Sequence, residues 1–441
     1  MSIIANLISS PWIPDGLLFA LTIVFRIRSG SWLAPSSFFG LYWIAALTTS
    51  LLAVDHRVPG LGTWVLVSLI VTVQLGSGIA ETNGTSAPLT TDSDCHQATS
   101  VRLRKACLLF LLMALAGCVY FIWLSLDTFR QEFTLVSLVQ MAAKWTFIRY
   151  ADFRDPWPLR FAAVWVYPVA LLGGMLTSAS RKRADKVIGA LSLLPALLLT
   201  FLAGGRTAIV LALAFWFGGQ WAARVACTKG RVLLFGKGTL LLFAGLAMSL
   251  VLIFVGVNTF RGAKDTSNLA DLSLEFNSGQ IRNYMFGPPA AFVQWFDRSA
   301  SSPVTWGALT LQGVFDVLQI RPRTLGTYGD SEATVGSEGT NIFTMFRGLI
   351  QDFTLPGAYL VCGLWGLFSG YVYSMRSLRV LPVLGLSAFY ALCLFGGLIC
   401  PLVFNSTIFT WVIAWLVLRR TSWRSSSSQC RIPGQPEFRH A

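Results

Sequence analysis

The stretch that decides the fold is TNIFTMFRGLIQDFTL (340–355), which continues directly into the apolar run PGAYLVCGLWGLFSGYVY (356–373). The apolar run has the length and composition of a membrane-spanning helix. In the preceding stretch, Arg347, Gln351 and Asp352 are spaced to share one face of a helix. Because burying an unpaired charge at a bilayer is costly, this polar face needs compensation. The stretch predicts either an interfacial helix, whose Arg347 and Asp352 pair with each other or with headgroups, or a polar site at the outer mouth of a span.

The composition of the whole chain agrees with a membrane protein. Hydrophobic residues make up 54% of the 441 residues, charged residues make up 12%, and the mean hydropathy is +0.62. These values exclude a soluble globular protein of this length and indicate an all-α polytopic membrane protein.

Apolar runs of spanning length predict eleven transmembrane helices. They lie at about 13–27, 34–53, 63–81, 105–126, 161–179, 187–203, 206–225, 238–259, 356–375, 381–398 and 401–418.

These runs divide the chain into four regions. Residues 1–259 hold the first eight spans, and 260–355 form a long polar loop with short helices. The last three spans lie in 356–420, and 421–441 form a serine-rich tail that we expect to be disordered and cytoplasmic. The order of spans and loops along the chain is therefore predicted from hydrophobicity alone, without reference to any motif.

The distribution of charge predicts the orientation and argues against nucleic acid as a partner. The net charge is +14, yet the region 260–355 holds seven basic and nine acidic residues, so the basic excess lies elsewhere. Eleven spans place the basic clusters near 181–186, 224–237, 376–379 and 419–420 on one side, which the positive-inside rule makes cytoplasmic. We therefore expect an outside N-terminus and an inside C-terminus. The arginine-containing segment 127–160 is then outside, as an exception to the charge rule.

The sequence lacks the motifs that are typical of several classes of protein. The chain has no GxxxxGK[ST] and no HExxH, which disfavours a nucleotide-driven motor or a zinc protease. Cys95 and His96 are adjacent and have no partners at metal-ligand spacing, so we expect no metal and no cofactor.

Four short motifs bring arginines to the predicted outer side. Arg206 lies in the hairpin AGGRT (203–207), Arg261 in NTFRG (258–262), and Arg282 precedes Tyr284 in QIRNYMFGPPAAFVQWF (280–296). The motif IRPRTLG (320–326), whose Arg321 and Arg323 could bind a phosphate, leads into a Gly- and acid-rich stretch that contains Glu338. Each motif alone has a structural explanation, such as an arginine that snorkels to the interface or a loop helix packed on the bundle.

Together, the outer arginines suggest a ligand. Arg206, Arg261, Arg282 and Arg347 all fall on one side of the predicted bundle. A guanidinium stays charged and donates two hydrogen bonds at once to phosphate oxygens, so a converging group would suit a lipid diphosphate. Tyr284 or Trp295 offers a flat ring against which a sugar could stack.

These motifs resemble the Wzy-type O-antigen and oligosaccharide repeat-unit polymerases of bacterial envelopes. The resemblance rests on AGGRT at a hairpin, on the long loop after NTFRG, on PSSFFGLYW (35–43), and above all on TNIFTMFRGLIQDFTLPG (340–357). It covers the whole chain in layout and only these stretches in detail.

The resemblance implies a multi-pass protein of the bacterial inner membrane whose 260–355 loop is periplasmic. Such a polymerase transfers the growing glycan from undecaprenyl diphosphate to the terminal sugar of an incoming lipid-linked repeat unit. A chain-length regulator is an implied partner. Arg206 and Arg347 match the basic positions, with Asn341 and Asp352 beside them.

Site roles follow from the chemistry of that reaction. Arginines can stabilise the charge that develops on the leaving diphosphate, and a carboxylate can take the proton of the attacking hydroxyl. We expect Asp352 and Glu338 as candidate bases, Arg206, Arg347, Arg282 and Arg261 as diphosphate ligands, and Asn341 and Tyr284 as substrate contacts.

Three other functions remain open at this point, and one of them is a purely structural membrane subunit. A flippase or transporter of lipid-linked glycans would place its charges within the spans. An O-antigen ligase is expected to use a histidine in the long loop, whereas no histidine lies between residues 97 and 439.

Overall fold

The computed structural model describes most of the chain in separate ranges. They are residues 10, 12–53, 60–82, 93–130, 132–134, 137, 140–141, 144–145, 157–203, 206–228, 274–299, 303–321, 333–335, 338–340, 342–375 and 380–420.

The described residues form a helical bundle with one small hairpin of strands. The first eight helices are α1 (Trp12–Ser29), α2 (Pro35–Ala53), α3 (Leu61–Thr82), α4 (Ser93–Phe129), α5 (Trp157–Ala179), α6 (Arg183–Leu191), α7 (Leu194–Ala203) and α8 (Thr207–Thr228). They are followed by α9 (Leu274–Ser299), α10 (Gln312–Val317), strands β1 (Ala333–Val335) and β2 (Glu338–Thr340), α11 (Met345–Met375), α12 (Val380–Gly396), a 3-10 turn (Pro401–Val403) and α13 (Asn405–Arg420).

The fold is that of a polytopic membrane protein. Seven helical segments among the described residues are long and apolar enough to cross a membrane, and α12 is a shorter apolar helix. Those seven are Pro35–Ala53, Leu61–Glu81, Ser100–Phe129, Trp157–Ala179, Arg183–Leu202, Thr207–Cys227 and Met345–Met375.

The predicted spans correspond to helices wherever the chain is described, but the predicted total of eleven is not confirmed. The run 238–259 and the tail 421–441 lie outside the described residues. The run 187–203 comprises two helices, α6 and α7, and the last run begins with a 3-10 turn before α13. In the polar region 260–355 we predicted short helices, and the described part contains the short helix α10, the long helix α9, the β1–β2 hairpin and the start of α11.

Helices α3 and α11 pack closely through small residues. A Cβ atom on Gly76 would lie 2.6 Å from the carbonyl oxygen of Gly363, and one on Gly366 would overlap the carbonyl oxygen of Val73. Ser77 and Ser369 share a buried hydrogen bond of 2.9 Å across the same interface. Glycine at these positions lets the two backbones approach, which is how helices associate where lipid replaces water.

Helix α11 is broken at Thr354, whose backbone has φ 64° and ψ 172°. We call residues 345–353 the half-helix; residues 355–375 form the span. Phe346 in the first turn of the half-helix packs against Trp43, with ring centroids 5.2 Å apart. Trp43 is close to the middle of α2, so the half-helix penetrates the bundle. The predicted boundary between loop and span, at 355 and 356, thus falls just after the break.

The two ends of the bundle are defined by the alternating direction of successive helices and by contacts between helix ends. At one end, the Glu81 carboxylate of α3 accepts hydrogen bonds from the backbone N–H and the hydroxyl of Ser36 at the start of α2, and Arg104 lies 3.7 Å from Asp185. At the opposite end, the backbone N–H of Gly62 donates to the Asp297 carboxylate at 2.9 Å. The hairpin between α7 and α8 is at this second end, which we call the Arg206 end.

Candidate functional site

The site is built on α9, which crosses the Arg206 end of the bundle. The helix packs on α2 and α3, and the Gly62–Asp297 hydrogen bond fixes its C-terminal part to the start of α3. Tyr284 and Trp295 are eleven residues apart on α9, which places them on one helical face at a separation of ~16 Å along an unbent axis. The helix contains Pro288 and Pro289 between these two rings. The guanidinium group of one arginine lies against each of these two rings.

Arg206 is the first of these arginines. It lies at the start of α8, is 6% exposed, and its guanidinium carbon is 5.4 Å from the centroid of the Tyr284 ring. The hydroxyl of Thr200 accepts a 3.1 Å hydrogen bond from the backbone N–H of Ile209. This side chain satisfies one of the donors at the N-terminus of α8, so the end of α7 is attached to the start of α8 beside Arg206.

Arg347 is the second arginine, and it is more deeply buried, with 2% of its surface exposed. Its guanidinium carbon lies 5.0 Å from the Trp295 ring centroid and 4.0 Å from that of Phe343. Its Nε donates to the amide oxygen of Gln351 at 3.2 Å. The negative faces of two aromatic rings and an amide oxygen thus surround the cation, an arrangement that stabilises a guanidinium away from water.

Asp352, five residues further along, has a different environment. It is fully buried, and each of its carboxylate oxygens accepts two hydrogen bonds from the segment 305–310. The Oδ1 atom accepts from the Thr305 hydroxyl at 2.5 Å and from the Leu309 backbone N–H at 3.1 Å. The Oδ2 atom accepts from the backbone N–H of Thr310 at 2.6 Å and from the Thr310 hydroxyl. A carboxylate that receives four donors is well placed to anchor a loop.

Further contacts attach the segment 303–321 to the bundle. The backbone N–H of Thr305 donates to the carbonyl oxygen of Gln351 at 3.0 Å, and Arg321 donates to the carbonyl oxygen of Thr305 at 3.2 Å. At α10, Asp316 accepts a 2.8 Å hydrogen bond from the side-chain amide of Asn405 at the start of α13. The segment therefore connects the half-helix with the last helix of the bundle.

The structure places four of the predicted site residues at one end of the bundle but not around a single point, because Arg206 and Arg347 lie against rings ~16 Å apart along α9 and Asp352 contacts the segment 305–310. Arg206, Arg347, Tyr284 and Asp352 lie at the Arg206 end, whereas Arg282 is exposed on α9. Glu338 belongs to β2, which pairs with β1 in an antiparallel hairpin that contacts α9. Arg261 and Asn341 lie outside the described residues. The roles assigned to all of these residues stay predictions.

Sequence reasoning missed three partners of the site. Phe343 faces the Arg347 guanidinium, and Thr305 and Thr310 bind Asp352. Phe343 is in the quoted motif, four residues before Arg347, so helical spacing could have suggested the contact. The two threonines lie more than forty residues upstream in an unremarkable SSPVTWGALTLQ stretch, where no local pattern signals them.

The described residues bear on both metal binding and thiol chemistry at the site. Within the described ranges, no group of three or more His, Cys, Asp or Glu side chains is placed to hold a metal ion. Cys400 lies in the turn after α12, and burial raises the pKa of its thiol to about 12, with a contribution from the nearby Asp352 charge. This thiol is therefore protonated at neutral pH and is a poor nucleophile.

The arrangement can hold negatively charged ligands at two points along one helix. The buried guanidinium groups of Arg206 and Arg347 each lie against an aromatic ring of α9, although the two arginines are more than 130 residues apart in the chain. In comparisons with protein-family models, with curated proteins and with solved structures, no match was found. Function is therefore inferred from these residues themselves.

Proposed function

We propose that the protein is a membrane-embedded polymerase that joins undecaprenyl-diphosphate-linked oligosaccharide repeat units at the periplasmic face of a bacterial inner membrane. The observation that carries this proposal is the pair of buried arginines, Arg206 and Arg347, on Tyr284 and Trp295 of α9. Buried arginines are costly unless they serve structure or ligand binding. A bound diphosphate would offset the free-energy cost of burying these two charged groups.

The proposed reaction uses these charges on the leaving group. A hydroxyl of the acceptor sugar attacks the anomeric carbon of the donor glycan, the carbon–oxygen bond to the diphosphate breaks, and undecaprenyl diphosphate leaves with the bonding electron pair. The hydroxyl proton passes to a base or to the departing diphosphate. Donors aimed at the developing charge accelerate such a step most in a site that excludes water.

The spacing of the arginines is compatible with two lipid-linked substrates. Donor and acceptor each carry a diphosphate, and the rings that align Arg206 and Arg347 are separated by ~16 Å along α9. We assign one diphosphate to each arginine. The glycan to be transferred would then lie along the helix face between the two positions.

The base of the reaction has to be reconsidered in this proposal. All the hydrogen bonds that Asp352 accepts come from residues 305–310, so we assign this residue a positioning role and not proton transfer. Glu338 remains the predicted base, and the alternative is direct transfer of the proton to the leaving diphosphate. The polymerase proposal does not depend on which of these two routes is used.

The test is reconstitution with a synthetic lipid-diphosphate repeat unit in detergent, without nucleotide or added metal, followed by gel analysis. We expect a ladder of polymer from the unchanged protein and only single repeats from Arg206→Ala and Arg347→Ala. Arg298→Ala is the matched control, because Arg298 is an exposed arginine on α9 itself, and we expect it to make polymer of normal length. Normal ladders from both site variants would overturn the arginine assignment. Absence of any ladder from the unchanged protein would overturn the polymerase proposal.

One observation favours a second function, transport of a lipid-linked glycan. Half-helices that end inside a bundle and point their N-termini at a ligand are typical of secondary transporters, and the half-helix carries buried Arg347 beside the middle of α2. A transporter in proteoliposomes would move the labelled lipid-linked unit between leaflets and form no glycosidic bond. Movement without a ladder would therefore replace the first proposal by this one.

A further inference from the structure

The first turn of the half-helix is surrounded by buried hydrogen-bond donors. Thr344 immediately precedes this helix and is fully buried, Trp43 is fully buried against Phe346, and Trp295 is 2% exposed against Arg347. Within the part of the chain that the structure describes, the Thr344 hydroxyl and both indole N–H groups have no hydrogen-bond partner.

These groups share one chemical preference. An indole N–H and a guanidinium can only donate hydrogen bonds, and a hydroxyl can donate. The half-helix adds the positive end of its dipole and the backbone N–H groups of Met345 and Phe346, whereas the N–H of Arg347 already donates to the Thr344 carbonyl oxygen at 3.2 Å. Buried donors normally have an acceptor, so the missing partner at this point is expected to be rich in acceptor oxygens.

We propose that Thr344 and Trp295 form, with the N-terminus of the half-helix and Arg347, an oxyanion subsite that binds a phosphate group of the ligand. The assignment of that phosphate to a lipid diphosphate rests on the proposed function, whereas the subsite itself rests on the buried donors. Trp43 lies on the Phe346 side of the same turn and adds a third donor.

The geometry favours an anion over a neutral sugar hydroxyl. A sugar hydroxyl would both donate and accept, whereas the indole and guanidinium groups supply only donors. Arg347 lies 5.0 Å from the Trp295 ring, so a phosphate near the edge of that indole is also within the field of the guanidinium. Helix N-termini bind phosphate for the same reason.

The test measures binding of inorganic pyrophosphate, inorganic phosphate and undecaprenyl diphosphate to the purified full-length protein in a nonionic detergent by calorimetry. Trp295→Phe and Thr344→Val each remove one donor and keep most of the side-chain volume. Because a hydrogen bond to a charged group contributes about 1.5 kcal/mol or more, we expect each variant to bind pyrophosphate about tenfold more weakly. Thr344→Ser retains the hydroxyl, and we expect it to bind like the unchanged protein.

Trp165→Phe is the matched control. Trp165 in α5 also has a buried indole N–H with no hydrogen-bond partner among the described residues, and its ring packs on Phe110 of α4. We expect its removal to leave pyrophosphate binding unchanged. An equal loss of affinity in all three tryptophan and threonine variants would show a general packing effect and overturn the subsite.

The three ligands separate the subsite from the polymerase proposal. Binding of pyrophosphate and undecaprenyl diphosphate with the expected losses supports both the subsite and its assignment to the lipid. Binding of phosphate or pyrophosphate alone supports the subsite and overturns the lipid assignment. The subsite is wrong if pyrophosphate does not bind to the unchanged protein. It is also wrong if pyrophosphate binds equally well to Trp295→Phe, to Thr344→Val and to the unchanged protein. Both conclusions hold even where the reconstituted protein makes polymer.

Discussion

Replacing Asp352 by asparagine tests how the segment 303–321 is attached to the bundle. The carboxylate accepts one backbone N–H on each of its two oxygens, from Leu309 on Oδ1 and from Thr310 on Oδ2. Asparagine has only one oxygen, so one of these backbone donors faces an NH2 group whichever way the amide is turned. The hydroxyls of Thr305 and Thr310 can rotate to accept from that NH2 group, but a backbone N–H cannot.

The cost follows from these contacts. A buried donor without an acceptor costs about 1–3 kcal/mol, and the remaining hydrogen bonds lose the advantage of a charged acceptor. We therefore expect Asp352→Asn to weaken the attachment of the segment by about 3 kcal/mol, which corresponds to a hundredfold increase in its opening equilibrium. The fold of the helices outside this contact should be retained.

The assay is amide hydrogen exchange of the protein in detergent, read on peptides that cover 303–321, alongside polymer formation. Asp297→Asn is the matched control, since Asp297 accepts a single backbone N–H, that of Gly62, and the asparagine oxygen can still accept it. We expect rapid exchange and loss of polymer for Asp352→Asn, and unchanged exchange of 303–321 for the control. Unchanged protection in Asp352→Asn would refute the anchoring role. Full protection with loss of polymer would instead support Asp352 as the base.

Three further substitutions test the fold and the site. Thr354→Gly should raise the free energy of unfolding by about 1 kcal/mol in a denaturant titration in micelles, because the positive φ of Thr354 is strained for a residue with a Cβ; a loss of stability would contradict this. Gly76→Val should abolish folded protein on size-exclusion chromatography, because its Cβ would lie 2.6 Å from the Gly363 carbonyl oxygen. Gly363→Ala should be tolerated, because its Cβ would lie 3.7 Å from its nearest neighbour. Equal yields of the two variants would refute the close packing of α3 and α11. Arg347→Lys keeps the charge and loses planar stacking on two rings, so we expect polymer formation to fall at least about tenfold, and normal rates would show that charge alone suffices.

Apolar periodicity accounts for much of the fold that could be predicted. The runs 63–81 and 161–179 coincide closely with α3 and α5, because a bilayer demands a continuous apolar helix of fixed length. The half-helix corresponds to the predicted polar-faced helical stretch before residue 356, whereas its depth in the bundle, beside Trp43, could not be predicted because it depends on tertiary packing. The long helix α9 was also missed as a single element, because the Gly-Pro-Pro sequence at 287–289 suggests an interruption.

For the site, the arginines could be selected from the sequence and their partners could not. Arg206 and Arg347 are recognisable because charges are rare in an apolar chain, and alternation of the spans predicts the common end at which both lie. Trp295 under Arg347, and Thr305 and Thr310 around Asp352, depend on where α9 and the segment 303–321 pack.

By itself, the amino-acid sequence determined that this is a helical membrane protein and that Arg206 and Arg347 lie at the same end of it, because hydrophobicity and charge act locally along a chain inserted into a bilayer. Tertiary structure alone decided that Arg347 is enclosed by rings and that Asp352 anchors a loop, because those contacts join segments distant in the chain, and their geometry arises only when helices pack.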